Sequence, residues 1–302
     1  MKFSIFQESR KGGRRVNEDR IAHWQSAEAL LMVVADGLGG HQHGDIAAQL
    51  AVDHLGAAFA AQARPRLSNP AFFLLRAIGG AHAAILHEAR LKGLRESPRT
   101  CIAACVVQEG AAHWAHIGDC RLYVVRSGMI LVRTRDHSLV QRLVDEGRMR
   151  EEAISSHPDR NRLLQCLGGF QMPQFEPAAT HRLERDDVVL LCSDGFWGPL
   201  TQRHLVHGLA AASELRGAMG PLVALAEARG GPRCDNVSVV AMRWGEEQAS
   251  DSDWPRTVPQ SEPQTNVQDF TATNPDYLHM SDDDIEKAIA EIRAALRRNA
   301  LG

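Results

Sequence analysis

The sequence predicts an α+β fold in which antiparallel sheets pack against each other and helices cover them from outside. Segments with helical and strand-like patterns come in blocks and do not alternate strictly along the chain. Between residues 100 and 133, short apolar runs follow one another through tight turns, with a hairpin signal at Ser127–Gly128. The chain has 302 residues, 44% of them hydrophobic, which is enough to bury a substantial core.

The elements follow in order from an early apolar run. Ala29–Ala35 is typical of a buried strand, which ends at Asp36–Gly37. The patterns then predict helices over Gly44–Gln62 and Pro70–Leu91, and strands over Thr100–Gln108, His113–Ile117, Arg121–Arg126 and Met129–Arg133. The later elements are a helix over Leu139–Glu146, a buried strand over Asp187–Cys192, helices over Thr201–Ala212 and Ser213–Arg229, and a strand over Asn236–Trp244.

The composition changes after about residue 245. Residues 246–284 hold ten acids and one base, and Pro, Ser, Gln and Asn fill most of the rest. Such a segment cannot bury enough apolar surface to offset the entropy of ordering it. We therefore predict one domain over 1–245, a disordered acidic linker over 246–275, and an amphipathic helix over 276–302. That helix would dock either on its own domain or on a partner, and the sequence leaves both open.

The charge distribution excludes some classes of partner. The net charge is −3, and residues 246–302 carry −7 of it, so the first 245 residues are mildly basic at +4. This weak field does not favour nucleic acid or a membrane surface as a partner. It is compatible with a phosphorylated, anionic substrate.

The cysteines and the apolar segments indicate the compartment. The six cysteines are Cys101, Cys105, Cys120, Cys166, Cys192 and Cys234. They form no C-x-x-C pair, and most lie in apolar runs, which is typical of small buried side chains in a reducing compartment. No stretch approaches the ~18 apolar residues that would span a bilayer. We expect a soluble, cytoplasmic protein.

Three strand ends present carboxylates. They are VVADG (33–37), LLCSDG (190–195) and the CDN turn (234–236). Carboxylates combined with carbonyls and waters suit Mg²⁺ or Mn²⁺ better than zinc. A single Asp–Gly pair is ordinarily a turn. Three of them beside apolar runs weaken that interpretation, but the pattern alone leaves it open.

The order of six motifs points to one family. The motifs are RRVNEDR (14–20), VVADGLGGHQHGDIAA (33–48), HIGDCRLY (116–123), TRDHSLV (134–140), LLCSDGFW (190–197) and CDNVSVV (234–240). Over residues 1 to about 245, the chain closely resembles the type-2C metal-dependent serine/threonine protein phosphatases in their compact bacterial form. HPDRNRLLQCLGG (157–169) is also similar to the segment that follows the mobile flap of that family.

The resemblance implies a four-layer α/β/β/α sandwich, with two antiparallel sheets flanked by helices and a two-metal site at one end. By that resemblance, Asp36 would bridge both metals and the Gly37 carbonyl would bind one of them. Asp194 and Asp235 would complete the coordination of the other metal.

The remaining site residues are also assigned by the resemblance. Glu18 and Asp19 would hold metal-bound waters, and Asp119 would bind a third, weaker divalent metal. Arg14 has the spacing of the residue that grips the substrate phosphate, for which a guanidinium is better suited than lysine.

The implied chemistry is phosphomonoester hydrolysis. Two Mn²⁺ or Mg²⁺ ions about 3.5–4 Å apart can share a water and lower its pKa. That water would attack phosphorus in line, so no phosphoenzyme is needed. The substrate would be phosphoserine or phosphothreonine in a protein, and a Ser/Thr kinase would be the opposing partner. Without a cation, converging carboxylates repel one another, and we expect the metal-free site to be disordered or partly protonated.

Other interpretations stay open at this point. A regulatory pseudophosphatase would bind a phosphoprotein without turnover, although such a module should lack one of Asp36, Asp194 or Asp235. Alternatively, the tail helix recruits a partner and catalysis is secondary. Eukaryotic members carry a histidine where this chain has Leu38, so His41, solvent or a metal-bound water would protonate the leaving group. The pair His41 and His43 is weak support for a zinc site.

Overall fold

The strands of the protein form two five-stranded antiparallel sheets. The computed structural model describes residues 1–38, 43–176 and 178–245, except the side chains of residues 155 and 156. The strands are β1 (Phe3–Arg10), β2 (Arg20–Gln25), β3 (Ala29–Gly37), β4 (Thr100–Gln108), β5 (Ala111–Ile117), β6 (Arg121–Arg126), β7 (Met129–Arg133), β8 (Ala179–Arg182), β9 (Val188–Cys192) and β10 (Val237–Trp244). Sheet 1 has the order β1-β10-β9-β6-β7, and sheet 2 the order β2-β3-β4-β5-β8.

Helices cover the outer face of each sheet. They are α1 (Gly44–Gln62), α2 (Pro70–Leu91), α3 (Leu139–Asp145), α4 (Asp194–Trp197), α5 (Gln202–Ala210) and α6 (Leu215–Gly230). Helices α1 and α2 pack on sheet 2, whereas α5 and α6 pack on sheet 1. The start of α2 is specified locally, because the Asn69 side chain accepts a hydrogen bond from the Phe72 N–H and Pro70 opens the first turn. The predicted four-layer sandwich is confirmed.

Strand β3 shows how the layers are built. Its side chains alternate between two cores, as the pleat of a strand requires. Leu31 and Val33 pack with α1 and α2, while Leu30 and Met32 pack between the two sheets. All four are fully buried. Because both faces of the strand are covered, it is a continuous apolar run in the sequence.

Helix α2 is the one helix in the described ranges whose length and hydropathy would suffice to cross a bilayer, with a mean hydropathy of 1.2. A buried core helix meets the same criterion, because it considers only length and composition. Its apolar residues have another use, because Phe73, Leu74 and Ile78 are buried in the core between this helix and sheet 2. The same face also buries His82.

Some elements differ from those predicted. Strands β1, β2 and β8 and the one-turn helix α4 were not predicted, because they are short or mix polar and apolar residues on both faces. All six cysteines are free, and only Cys166 is not fully buried, as predicted. The predicted linker (246–275) and tail helix (276–302) lie outside the described residues.

Candidate active site

Acidic residues from both sheets meet at one end of the sandwich because of the strand register. In sheet 2, Asp36 at the end of β3 lies opposite Cys101 at the start of β4, and Asp19 immediately precedes β2. Asp119 follows the end of β5 at this same end of the sheet. Antiparallel strands that start and stop together therefore bring acids from distant parts of the chain to one edge.

Sheet 1 supplies the other two acids in the same way. Cys192 at the end of β9 pairs with Val239 near the start of β10 and with Arg121 at the start of β6. Asp194 lies two residues beyond Cys192, and Asp235 lies just before β10. These five predicted aspartates therefore lie at one end of the two sheets.

The connection between β1 and β2 closes over this end. The Glu18 N–H donates to the Asn236 side-chain oxygen at 2.8 Å, and the Gly37 N–H donates to the Glu18 carbonyl at 3.3 Å. Gly37 has no room for a side chain, since a Cβ there would lie 2.5 Å from the Gly44 carbonyl. The backbone of β3 can therefore approach the start of α1, and the predicted residue Glu18 is held next to Gly37.

The carboxylates are close enough to change one another's ionisation. Enclosure by protein, followed by the charges of Asp19 and Asp194, raises the pKa of Asp36 well above its usual value. Enclosure, followed by Asp119, does the same to Asp194. Burial also raises the pKa of Asp19 and that of Asp119 to about 6. The prediction of strong mutual repulsion is supported by these directions.

Asp19 is the most securely held of these acids. It is 3% exposed, and the Ser193 hydroxyl donates to its carboxylate at 2.8 Å. Ser193 is itself fixed, because its N–H donates to the Ser238 carbonyl at 3.0 Å. Asp19 therefore ties the β2 end of sheet 2 to the β9 and β10 ends of sheet 1.

Arg14 lies at the site, where its side chain contacts one of the acids. Its guanidinium donates to the Asp235 carboxylate at 2.5 Å. The hydrogen bond to Asp235 is the main cause that raises the pKa of Arg14. This pair joins residues 221 positions apart in the chain, so no local sequence pattern could have predicted it.

The donor set fits hard divalent cations. It consists of carboxylate and carbonyl oxygens, which Mg²⁺ and Mn²⁺ prefer. Within residues 1–38, 43–176 and 178–245, no group of three or more His, Cys, Asp or Glu side chains lies close enough together to hold a metal ion by itself. An octahedral ion that keeps several waters needs few protein ligands. Clustered acids with raised pKa values are the better indicator of a site for such an ion.

Residues after β7 fix the turn that carries Asp119. The His137 N–H donates to the Gly118 carbonyl at 2.8 Å, and the Gly118 N–H donates back to the His137 ring at 3.2 Å. Asp136 forms two hydrogen bonds with Arg121 at 2.7 and 2.8 Å. Asp136 lies shortly before the next helix but does not cap it, since Ser138 caps α3 by accepting from the Gln141 N–H.

A large cavity opens beside the acids. Its volume is about 920 Å³, and Asp36, Asp119 and Asp194 lie in its wall. The opposite wall comes from the segment after α3, where the Phe170 side chain is 83% exposed. Arg142 also lines this cavity. The space can accept a chain longer than one residue next to the acids.

Two sequence expectations stay untested around this cavity. His41 lies outside the described residues, so its role in proton transfer and its zinc pair with His43 stay predictions. His43 itself adopts a left-handed conformation immediately before α1. Leu38, at the position of the eukaryotic histidine, lines the cavity.

Comparisons with known proteins agree with this geometry. A family model described as Protein phosphatase 2C matches residues 7–219. The chain is 34% identical over 232 residues to the serine/threonine protein phosphatase PstP of Mycobacterium tuberculosis, covering 75% of this chain and 42% of PstP. It is 32% identical to a putative protein phosphatase 2C-type of Streptococcus pyogenes, covering 75% of this chain and 91% of that protein. The chain thus spans less than half the length of PstP.

Solved structures show the same architecture. The serine/threonine phosphatase of S. agalactiae superimposes with a TM-score of 0.72 at 30% identity, covering 80% of this chain and 99% of that one. The catalytic domain of PstP in complex with two manganese ions superimposes with a TM-score of 0.67 at 28% identity, covering 80% and 97%. With the family match spanning 213 of the 302 residues, the chain belongs to the protein phosphatase 2C family.

Proposed function

We propose that this protein is a metal-dependent phosphatase that hydrolyses phosphoserine and phosphothreonine in proteins. The observation that carries the proposal is the convergence of acids from both sheets beside one arginine, at the edge of an open cavity. Membership of the protein phosphatase 2C family supports it, as does the manganese complex of the PstP catalytic domain.

The inner ligands are proposed from the family resemblance, and the aspartates that it names lie together at this end of the two sheets. Asp36 and the Gly37 carbonyl would hold one ion, with Asp36 shared by a second ion that Asp194 and Asp235 complete. When bound, two Mn²⁺ or Mg²⁺ ions would lower the pKa of a shared water and stabilise the oxygens of an in-line displacement. No side chain in this set needs to act as a nucleophile, which agrees with a reaction without a phosphoenzyme.

The outer residues hold and orient what the inner ligands bind. Glu18 and Asp19 would accept hydrogen bonds from metal-bound waters, and the Ser193 hydroxyl keeps Asp19 in a fixed orientation. Asp119 would bind the third, weaker divalent ion. Its turn is fixed on both sides, by His137 through Gly118 and by Asp136 through Arg121.

Arg14 would bind the substrate phosphate. A guanidinium has five N–H donors, and in this structure one of them is given to Asp235. The side chain is 48% exposed, so it has freedom to turn toward an entering phosphoryl group. Its fixed positive charge would then offset the charge of the phosphoryl oxygens.

A phosphoprotein is the substrate class that the cavity favours. Its wall continues well beyond the acids to the exposed Phe170, which gives the residues next to the phosphorylated one a surface to lie on. We place the protein in the cytoplasm, opposing a Ser/Thr kinase. The reducing conditions there agree with six free cysteines.

The first experiment measures hydrolysis of a phosphothreonine peptide with and without Mn²⁺ or Mg²⁺. We expect turnover with metal and none with EDTA. Asp194→Ala should abolish turnover by removing an inner ligand, whereas Asp186→Ala should not, because Asp186 is exposed in the turn before β9, at the opposite end of sheet 1. Inactive wild-type protein that still binds the phosphopeptide would instead support the pseudophosphatase interpretation.

A second experiment tests Arg14. Arg14→Ala should lower kcat/KM by roughly a hundredfold, the scale expected when a charged hydrogen bond to the transition state is lost. Arg15→Ala is the matched control, since its neighbouring guanidinium also lies in the exposed β1–β2 connection. Equal kcat/KM for Arg14→Ala and wild type would remove Arg14 from the site.

A third experiment concerns the residues after 245. A chain ending at residue 245 should keep the metal-dependent turnover, since the proposed ligands all precede that point. If a folded protein shortened in this way were inactive, residues 246–302 would belong to the catalytic unit.

A further inference from the structure

Three side chains beneath the site form a connected unit, here called the brace: Asp136, Arg121 and Trp197. The Arg121 guanidinium donates to both carboxylate oxygens of Asp136, at 2.8 and 2.7 Å. The same guanidinium lies over the Trp197 ring, with its central carbon 3.4 Å from the ring centre. The Arg121 and Asp136 side chains are only 8% and 2% exposed, so the contacts are shielded from water.

Trp197 connects the brace to two of the acids, which follow different strands. The Trp197 indole N–H donates to the backbone carbonyl of Asp119 at 2.9 Å. Trp197 also ends the one-turn helix α4, which begins at Asp194. The same indole therefore fixes the backbone of Asp119, after β5, relative to the turn that carries Asp194, after β9.

Stability alone is a poor explanation for the brace. A buried ion pair often contributes little net stability, because removing both charges from water costs about as much as their attraction returns. What the arrangement does provide is a defined position. The two hydrogen bonds from the carboxylate fix the plane of the guanidinium, and the guanidinium in turn packs against the indole ring.

We propose that the brace is a positioning unit that sets the separation of Asp119 from Asp194 and so the affinity for the most weakly held divalent cation. The proposal rests on the proposed function, in which both aspartates face the metals. None of the three side chains need touch a metal or the substrate. Their effect would pass through the Asp119 carbonyl and the turn of α4.

The test variant is Trp197→Phe, which keeps an aromatic ring under Arg121 and removes the N–H donor to Asp119. The matched control is Trp24→Phe in β2, because the Trp24 N–H is buried and makes no hydrogen bond within the described part of the chain. Both variants lose one indole N–H, but only one loses a contact to the site.

The readout is Mn²⁺ binding to the metal-free protein by calorimetry, together with the Mn²⁺ concentration that gives half-maximal turnover. Residues that orient a ligand without touching the metal typically change affinity by ~10–100-fold. Because Trp197 holds the Asp119 backbone and not its carboxylate, we expect the weakest binding step of Trp197→Phe to weaken by about tenfold. The affinities of the tighter Mn²⁺-binding steps should equal those of wild type. Trp24→Phe should give the wild-type titration at every step.

A double-mutant cycle with Asp119→Ala distinguishes an effect on the position of Asp119 from a general loosening of the protein. In the Asp119→Ala background the weakest step is lost, so Trp197→Phe should cause no further change in Mn²⁺ binding. The proposal would be overturned if Trp197→Phe weakened Mn²⁺ binding equally in the wild-type and Asp119→Ala backgrounds. It would also be overturned if folded Trp197→Phe gave the wild-type titration.

A second variant covers the case in which Trp197→Phe does not fold. Asp136→Asn keeps the shape of the brace but weakens its hold on Arg121, and the same selective loss of the weakest step is expected. If neither variant shows it, the brace is not a positioning unit. Wild-type protein that binds no Mn²⁺ would overturn the proposed function as well, which distinguishes that failure from failure of the brace alone.

Discussion

Replacing His82 should remove part of the acid sensitivity of the fold. His82 lies on α2, is 1% exposed, and accepts a hydrogen bond from the Gly168 N–H through its ring nitrogen at 3.2 Å. Burial lowers its pKa from 6.5 to about 4. The native protein therefore keeps this histidine neutral at pH values where the unfolded chain binds a proton.

The magnitude follows from the difference between the two pKa values. Since the unfolded chain binds the extra proton between pH 6.5 and about 4, the free energy of unfolding falls as pH falls through that window. A difference of about 2.5 pKa units corresponds to about 3 kcal/mol, fully present above pH 6.5 and lost near pH 4. For a domain of this size that is a change in Tm of about 6–12 °C.

The assay is urea unfolding of wild type and His82→Gln at pH 7.5, 6.5, 5.5 and 4.5. Glutamine can accept the Gly168 N–H and does not titrate, so the variant should lose less stability on acidification by up to about 3 kcal/mol. His87→Gln is the control, because His87 is exposed on the same helix. Other buried histidines also contribute to the acid sensitivity, and they remain in both proteins. The quantity compared is therefore the difference in the free energy of unfolding between wild type and variant at each pH. Parallel pH curves for His82→Gln and wild type would refute the reasoning.

Three further predictions concern packing and charge. Gly118→Ala should destabilise the protein by several kcal/mol more than Gly93→Ala in urea unfolding, because both glycines have positive φ but only at Gly118 would a Cβ lie 2.2 Å from the Cys101 sulfur; equal losses would contradict this. Ile78→Ala should cost about 2–5 kcal/mol by the same measurement, since Ile78 is fully buried between α2 and sheet 2; a loss below 1 kcal/mol would show that the core can collapse around it. Asp19→Asn should raise the Tm of the metal-free protein at pH 7.5 and reduce the gain in Tm on adding Mn²⁺, because it removes one of the mutually repelling charges; a lower metal-free Tm would contradict the repulsion.

The sequence predicted most accurately the elements that carry long, largely apolar runs. Helices Gly44–Gln62 and Pro70–Leu91 and the strand Thr100–Gln108 have the predicted bounds. Their long apolar runs, and Asn69 and Pro70 at the start of α2, leave a local signal. Strand β1 has no such signal, because its residues are only intermittently buried and it is defined mainly by pairing with β10, more than 220 residues away.

The same distinction applies to the site. Aspartates that end apolar strands could be located from local patterns and ranked by family resemblance. The partners of those residues could not, because Arg14 with Asp235 and Arg121 with Asp136 are set by the packing of the two sheets. Asp136 is a clear example, since its position before a helix is typical of a cap, and only the fold shows the buried arginine that it binds.

The pairing of β1 with β10 has a consequence for the newly made chain. Phe3 lies opposite Trp244, so sheet 1 stays incomplete until the residues of β10 have left the ribosome. At about 5–20 residues per second, 244 residues take roughly 10–50 s to synthesise. During that interval the proposed ligand Asp235 is also missing, so a partly translated chain would hold neither a closed sheet nor a complete site. The closed sheet and the complete proposed site would therefore form together, once the residues of β10 are available.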